Sequence, residues 1–463
     1  MSGAGGTNAG GSATEGRDGG AGSVSTGSGG KGAGGGTIGS GGMSQTGGGG
    51  GLVTSGGASG KGGAADGGVG SGGKSGPGGA SSTGGVANTG GSGTRTGGTS
   101  GTTATGGAFG TGGSTGSSCS GPIGTLTGAL ADGIAFMDDK GNRVNAHGGG
   151  IIKEGDTYYM HGEYFLSTTT DNDFNGFSMY SSKDLATWKY EKMILPQQAS
   201  GDLGPKRKGE RPHIIKCPST GEFVLYAHAA DETYQADKEV VYATSPTVNG
   251  DYTLQGRLTN ASGAIAAHSD MSAYADETGA YVITESGHVF TLATDCHSWL
   301  KDDSYSAVNG DSGGSESPTV FKAGSTYYWI GSYKTGWRAN NNFYSTASAM
   351  NGPWTYQGFV APVSDTSKVV PDGGPNSPEE ISDQRTWLTQ STWVTPVVGC
   401  SGTVYVYWGD HWYGNQNTSN PGKHNDQATY VFQPIVFSSS TKTLLPTYLT
   451  TWTLDVGAGT WSQ

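Results

Sequence analysis

The chain has 463 residues, with 26 basic against 38 acidic side chains for a net charge of −12, and 88 of its residues are glycine. This acidic balance, with no basic run beyond Lys206-Arg207-Lys208, excludes a nucleic-acid or anionic-membrane surface. No apolar run approaches the ~18 residues needed to span a bilayer, so membrane insertion is excluded as well.

More than half of the glycines precede Cys119, whereas of 12 Phe, 22 Tyr and 11 Trp only Phe109 does. A segment with so little apolar surface cannot offset its ordering entropy, so residues 1–118 are expected to be a disordered Gly/Ser/Thr-rich linker. Residues 119–463 are long enough for one large domain with its own core. Within the arm, Gly68-Val69-Gly70-Ser71-Gly72-Gly73-Lys74-Ser75 satisfies the phosphate-loop pattern. It lacks the preceding strand and following helix that make the pattern work, and reads as chance in a glycine tract. The start, Met1-Ser2-Gly3-Ala4, has neither a basic nor an apolar signal region and reads as truncated. Long linkers of this kind tether a domain to a cell surface or another module, so an extracellular or cell-surface location is expected. Cys119, Cys217, Cys296 and Cys400 allow about three pairings and stand too far apart for a zinc motif.

From Cys119 onward one theme repeats: a turn containing Gly, then a short strand of alternating aromatic and apolar residues. It occurs at Gly155-Asp156-Thr157-Tyr158-Tyr159, Gly221-Glu222-Phe223-Val224-Leu225-Tyr226 and Gly279-Ala280-Tyr281-Val282-Ile283. It returns at Gly324-Ser325-Thr326-Tyr327-Tyr328 and Gly402-Thr403-Val404-Tyr405-Val406-Tyr407. Outer aromatic strands are expected to end at Trp188, Tyr252, Trp299 and Trp354. Period-two patterning with Gly turns and almost no helical periodicity predicts an all-β repeat architecture. Five copies at blade-length spacing predict a five-bladed β-propeller.

Each copy carries a polar group beside its apolar strand. They are Asn145-Ala146-His147 and Gly162-Glu163 in the first, Glu210-Arg211-Pro212-His213 in the second and His268-Ser269-Asp270-Met271 in the third. Glu316-Ser317-Pro318 and Gln390-Ser391-Thr392-Trp393 follow in the fourth and fifth. Charges abutting inner strands are costly to bury alone, so converging carboxylates mark a candidate site. Two carboxyl groups flanking a bond suit glycoside hydrolysis, one giving a proton and one acting as base or nucleophile. Tyr234, Trp337, Trp408 and Trp412 could supply flat faces for sugar C–H surfaces. The three-glycine run after His147 suits close backbone approach near the axis, and no second ligand at recognisable spacing makes His147 a metal site.

The order of these stretches resembles glycoside hydrolase family 43, most closely its exo-β-1,3-galactanase branch. The matching runs are Ala146-His147-Gly148-Gly149-Gly150, Tyr158-Tyr159-Met160-His161-Gly162-Glu163, Glu210-Arg211-Pro212, Ser269-Asp270-Met271 and Glu316-Ser317-Pro318. Tyr333-Lys334-Thr335-Gly336-Trp337, Gly352-Pro353-Trp354, Gln390-Ser391-Thr392-Trp393 and Gly409-Asp410-His411-Trp412 continue it in family order. The resemblance implies a five-bladed propeller that inverts the anomeric centre, with Glu316 as general acid and Asp270 tuning its pKa. The first-blade Asp that serves most of the family as base is missing here, where Ala146-His147 stands. The galactanase branch also lacks it and has a Gln at the position of Gln390, whose imidic tautomer is implied to handle the water. Glu163, Glu210, Tyr234 and Thr335 match positions that hold the terminal galactose, and His147, Trp337 and Trp412 join them as substrate-contact candidates.

Two departures stand out: Ser269 where relatives often have Arg, and His411 after Asp410. The resemblance implies a monomer acting on a polysaccharide or oligosaccharide, with no cofactor and no metal, releasing galactose from the non-reducing end of β-1,3-galactan in arabinogalactan. Alternatives are another family 43 activity, an α-L-arabinofuranosidase or β-xylosidase, and a non-catalytic glycan-binding propeller.

Overall fold

A computed structural model describes residues 119, 121–127, 136–166, 173–305, 308–310, 314–337, 340–363, 385–412, 424–438 and 440–463. The Gly/Ser/Thr arm expected over 1–118 lies outside these residues. Among the described residues the regular structure is β-strand with a few single 3₁₀ turns, and no helix is long and apolar enough to cross a membrane.

After β1 (Ile123–Thr127) the chain lays down four antiparallel, four-stranded sheets in sequence order. The first holds β2 (His147–Glu154), β3 (Thr157–Glu163), β4 (Gly176–Ser182) and β5 (Lys189–Pro196). The second holds β6 (Arg207–Lys216), β7 (Phe223–Asp231), β8 (Glu239–Ser245) and β9 (Thr253–Arg257). The third holds β10 (Met271–Asp276), β11 (Gly279–Thr284), β12 (His288–Leu292) and β13 (Trp299–Ser304). The fourth holds β14 (Ser315–Ala323), β15 (Thr326–Tyr333), β16 (Phe343–Ala347) and β17 (Thr355–Phe359). A three-stranded sheet follows, β18 (Gln390–Val398), β19 (Thr403–His411) and β20 (Thr429–Pro434). Finally β21 (Thr451–Asp455) pairs with β1 on one side and β22 (Thr460–Ser462) on the other.

The Gly-led turns sit between the first two strands of each sheet. At Gly324 the backbone takes φ of 60° with open space around it, so conformation alone selects glycine. The outer aromatics correct the expectation by a strand: Trp188, Tyr252 and Trp354 lie immediately before β5, β9 and β17, and Trp299 opens β13. They mark the start of the fourth strand, and two of the rings, Trp188 and Tyr252, fold back over the connecting turn. Trp188 Nε1 donates to the Leu185 carbonyl at 3.1 Å and Tyr252 Oη to that of Val248 at 3.0 Å.

The first strands neighbour one another in a closed cycle: β2 beside β6, β6 beside β10, β10 beside β14, β14 beside β18, and β18 beside β2. Apolar clusters fill each gap between successive sheets, such as Phe177, Met179 and Ile194 against Ile214, Leu225 and Val241. The chain ends close the last gap. Leu126, Trp452 and Leu454 pack with Met160 and Trp188 of the first sheet and Trp408, Tyr430 and Phe432 of the fifth, and Trp452 Nε1 donates to the Phe432 carbonyl at 3.0 Å. The pairing that the sequence left open is Cys119–Cys400 and Cys217–Cys296, separated by 281 and 79 residues. Cross-links that close loops this long restrict the unfolded chain strongly.

Candidate active site

Four of the five first strands break register near the same end. The slips fall between His147 and Gly150, Glu210 and His213, Glu316 and Thr319, and Ser391 and Trp393. A bulge sets an extra residue into one strand and re-aims the side chains beside it. Gly148, Arg211 and Ser317 take left-handed φ values of 62°, 52° and 53° at these points. Pro212 and Pro318 follow the last two, in the one part of a strand where a missing N–H breaks no ladder bond. At Gly148 glycine is doubly required, since an added Cβ would fall 2.3 Å from Glu163 Oε1. The strand β10 is unbroken, and Asp270 lies immediately ahead of it.

These bulges open on a cavity of about 300 Å³ whose wall includes Glu163, Glu210, Asp270, Glu316, Gln390 and Arg211. Arg211, buried to 5 % exposure, ties them together. Its Nε meets Asp270 Oδ2 at 3.3 Å, its Nη2 donates to Gln390 Oε1, and its backbone N–H donates to Glu163 Oε1 at 2.9 Å. The guanidinium also lies over the Trp412 ring, 5.8 Å from its centroid. One buried cation thus offsets several carboxylates that would otherwise repel each other.

Glu316 is pushed well above the usual carboxylate range, first by burial and then by the negative charge of Asp270, with Arg211 pulling the other way. Its Oε1 accepts from Gln390 Nε2 at 2.9 Å and from the Thr335 backbone N–H at 3.4 Å. With two N–H groups on Oε1, Oε2 is the oxygen left open to a proton. Asp270 is raised by burial and lowered by Arg211, with a net upward displacement; its Oδ2 also accepts from the Ser317 N–H at 3.0 Å. Burial likewise drives Glu163 well upward, with Glu210 adding to it. Glu210 goes the other way. Burial raises it, but His228 Nδ1 at 3.2 Å, Tyr234 Oη at 2.5 Å and the Arg211 charge outweigh that and hold it down.

The Gln390 amide is engaged on every side. Its Oε1 accepts from Arg211 Nη2 and from Trp412 Nε1 at 2.8 Å, while its Nε2 donates to Glu316 Oε1 and, at 3.0 Å, to Ser332 Oγ. Guanidinium and indole N–H groups only donate, which fixes the amide's orientation. An imidic tautomer would place a proton on Oε1, where neither neighbour has a lone pair to receive it.

The remaining sequence candidates divide. Tyr234 and Trp337 line the cavity, and Trp337 stands edge-on to Trp412 at 4.8 Å. Trp412 is on the wall but almost fully buried, so its part is to hold Gln390 by the indole N–H rather than to offer a face. Thr335 reaches Glu316 through its backbone, and its Oγ1 accepts from Asn340 Nδ2 at 2.7 Å. His147 does not reach the cavity. It is fully buried, stacked on Tyr430 at 4.7 Å, with Nδ1 3.1 Å from Asp410 Oδ1. Asp410 also takes the Gly148 N–H at 2.8 Å and Thr392 Oγ1 at 2.6 Å, so the pair anchors the β2 bulge from behind. Trp408 lies wholly within the core.

Arg211 is what sequence reasoning passed over, though a charged residue ahead of the apolar run His213-Ile214-Ile215 was a visible signal. The Lys334–Glu285 ion pair at the rim was missed as well; Glu285 Oε1 also accepts the N–H of Ser269, at 3.2 Å. Glu210, His228 and Asp270 bring ligand atoms within 4.8 Å of one another. The Glu210 and Asp270 oxygens already have Tyr234, His228 and Arg211 as partners, and the guanidinium repels a cation there.

The profile described as Glycosyl hydrolases family 43 matches residues 151–290, a stretch that contains Glu163, Glu210, Arg211 and Asp270. Solved structures extend the likeness across the domain. An exo-β-1,3-galactanase variant from Phanerochaete chrysosporium with β-1,3-galactotriose is 25% identical, over 73% of this chain and 70% of that one, with a TM-score of 0.58. The exo-β-1,3-galactanase of Clostridium thermocellum is 26% identical, over 73% and 68% of the two chains, also at 0.58. The chain thus resembles family 43 over residues 151–290 and the exo-β-1,3-galactanases over most of its length. No curated protein matches the chain. The likeness to family 43 and to solved galactanases falls on the part of the molecule where the carboxylates gather at the bulged end of the first strands.

Proposed function

We propose that the chain is an inverting exo-acting hydrolase that releases galactose from the non-reducing end of β-1,3-galactan, the backbone of arabinogalactan. In this reading the domain over 119–463 is a five-bladed β-propeller, the fifth blade being β18–β20 with the chain-end sheet packed beside it. It works as a monomer outside the cell or at its surface, the Gly/Ser/Thr arm serving as linker. The observation that carries the proposal is the buried set of Glu316, Asp270 and Gln390 at one cavity, with Glu316 pushed above the usual carboxylate range by burial and by the Asp270 charge.

Glu316 gives its Oε2 proton to the departing glycosidic oxygen. Asp270 stays ionised beside Arg211, keeps the acid's proton affinity high and balances charge as it is lost. The 2.9 Å contact between Gln390 and Glu316 leaves no room for a water, whereas inversion requires about 6.5–9.5 Å between the groups that act on the two faces. The entering sugar parts that contact, and the freed Nε2–H positions the attacking water. Gln390 thus orients the water, whose proton is released to solvent water as its oxygen bonds to the anomeric carbon and the glycosidic bond breaks, matching the proton that Glu316 gives. Glu163, Glu210 and Tyr234 meet the sugar hydroxyls, and Trp337 offers its partly exposed face. A cavity of this size favours a single terminal sugar over a polymer lying across it.

The test is galactose release from linear β-1,3-galactan by the full chain beside Glu316→Gln. Steady release of monosaccharide that the substitution abolishes supports the reading. Release from aryl arabinosides or xylosides with none from galactan would move it to another family 43 activity. Binding of galactan without release, unchanged in Glu316→Gln, would make the chain a binding propeller.

A further inference from the structure

Outside the cavity, on the third sheet, two imidazoles and a carboxylate converge. His288 opens β12 and pairs with Ser304 of β13, while Phe290 pairs with Asp302, so His288 and Asp302 are diagonal neighbours on one face. Asp302 places its two oxygens 3.0 and 3.1 Å from His288 Nδ1. His268, from the segment leading into β10, lies against the His288 ring at 3.9 Å between centroids and 28° between planes. Phe290, almost fully buried, supports both rings at 6.0 and 6.2 Å. One ligand atom from each of His268, His288 and Asp302 lies within 4.8 Å of the other two.

We propose that His268, His288 and Asp302 bind a divalent transition-metal ion, of which Zn²⁺ is the representative. Bonds of about 2.0–2.2 Å to nitrogen and oxygen put neighbouring ligand atoms about 3 Å apart, which is the separation already found between His288 Nδ1 and Asp302. Two imidazoles and one carboxylate suit Zn²⁺, Ni²⁺ or Cu²⁺ and discriminate against Ca²⁺ and Mg²⁺, which take oxygen donors. All three side chains are only partly buried, so an ion can reach them from solvent. The site is separate from the hydrolytic chemistry, which calls for no metal, and stands or falls independently of it. It adjoins the cavity rim through Glu285 and Lys334, whose charges both act on His268.

The test is calorimetric titration of ZnCl₂ into the full, untagged chain at pH 7.5, repeated with CaCl₂ and with His268→Ala, His288→Ala and Asp302→Asn. One Zn²⁺ per chain is expected, with at least tenfold weaker binding in either histidine variant, a smaller loss in Asp302→Asn and no heat from Ca²⁺. Circular dichroism confirms that the variants, all altered at partly exposed positions, keep the parent fold. The proposal is overturned if the parent takes up no Zn²⁺ at about 1 mM, if the histidine variants bind it as the parent does, or if Ca²⁺ binds equally well.

Discussion

The two ends of the five first strands are built from the same segments and behave oppositely. At the cavity end, register slips re-aim Glu210, Arg211, Glu316 and Gln390 inward. At the other end the ladders run unbroken, and Ile151, Ile215, Ala273, Val320 and Val394 line a second hollow of about 360 Å³. The lysines there are paired locally, Lys216 with Glu154 at 2.7 Å and Lys322 with Asp276 at 3.3 Å. Regular pairing at one end fixes where the strands stand. Irregular pairing at the other spends ladder bonds to point charged groups at a common centre. The comparison teaches that activity and fold stability should respond separately to changes at the two ends.

The largest separation is expected from Glu316→Gln, which keeps the side chain's shape and removes its proton. Galactose release should fall by about 10²–10⁴-fold, in line with the loss of a general acid, while the circular dichroism spectrum stays that of the parent. Retained release would remove Glu316 from the acid's role. Arg211→Met comes next and should disturb both properties. It strips Asp270 and Gln390 Oε1 of a buried cation and donor, and breaking a buried pair from one side costs about 3–5 kcal/mol. Urea unfolding should show a loss of that order, and release should drop about 100-fold as the amide loses its fixed orientation. An Arg211→Met protein as stable as the parent would mean that the carboxylates are balanced some other way.

The fold was legible because its signals are local. A glycine before each period-two run marks a hairpin, and the apolar alternation gives the strand. Glu316, Asp270 and Gln390 belong to a larger set of polar residues that stand out beside apolar strands, and the resemblance to family 43, rather than the local pattern, set them apart. What was hidden depends on the closure of the ring. Arg211 meets Asp270 and Gln390, and His147 meets Asp410, only because distant strands become neighbours. Nothing local separates a histidine in a glycine run that faces a cavity from one held beneath it. The partners of Gln390 were equally out of reach, since Arg211 and Trp412 meet its Oε1 from across the cavity. Trp408 and Trp412 share one short motif, yet the first fills the core and the second holds the amide.

A pH series sharpens the contrast further. Glu316 and Glu163 both have folded-state pKa values raised by burial. A raised carboxyl favours folding fully below its unfolded value near 4.5, and this contribution is lost as pH rises through the folded value. Each unit of displacement corresponds to about 1.4 kcal/mol. Glu316→Gln cannot lose a proton, so its Tm relative to the parent should climb as pH rises above the ordinary carboxylate range. The parent's galactose release should hold to a pH well above the ordinary carboxylate range before its alkaline limb falls. A Tm difference that stays flat with pH would argue against a protonated Glu316 in the resting enzyme.

The smallest effect belongs to the apolar end, where the comparison is most exposed to failure. Ile214 is buried between the first and second sheets, past the bulge at Glu210, and its backbone N–H donates to His161 Nε2 at 3.1 Å. Ile214→Val removes one methylene and leaves that bond in place, so the expected cost is about 0.5–1.5 kcal/mol by urea unfolding. Release from galactan at saturating substrate should remain within about twofold of the parent, because the bulge separates this packing from Glu210 and Arg211. If kcat instead falls tenfold or more with so small a loss of stability, the two ends are mechanically coupled along β6. The regular half would then tune the positions of the catalytic groups as well as hold up the fold.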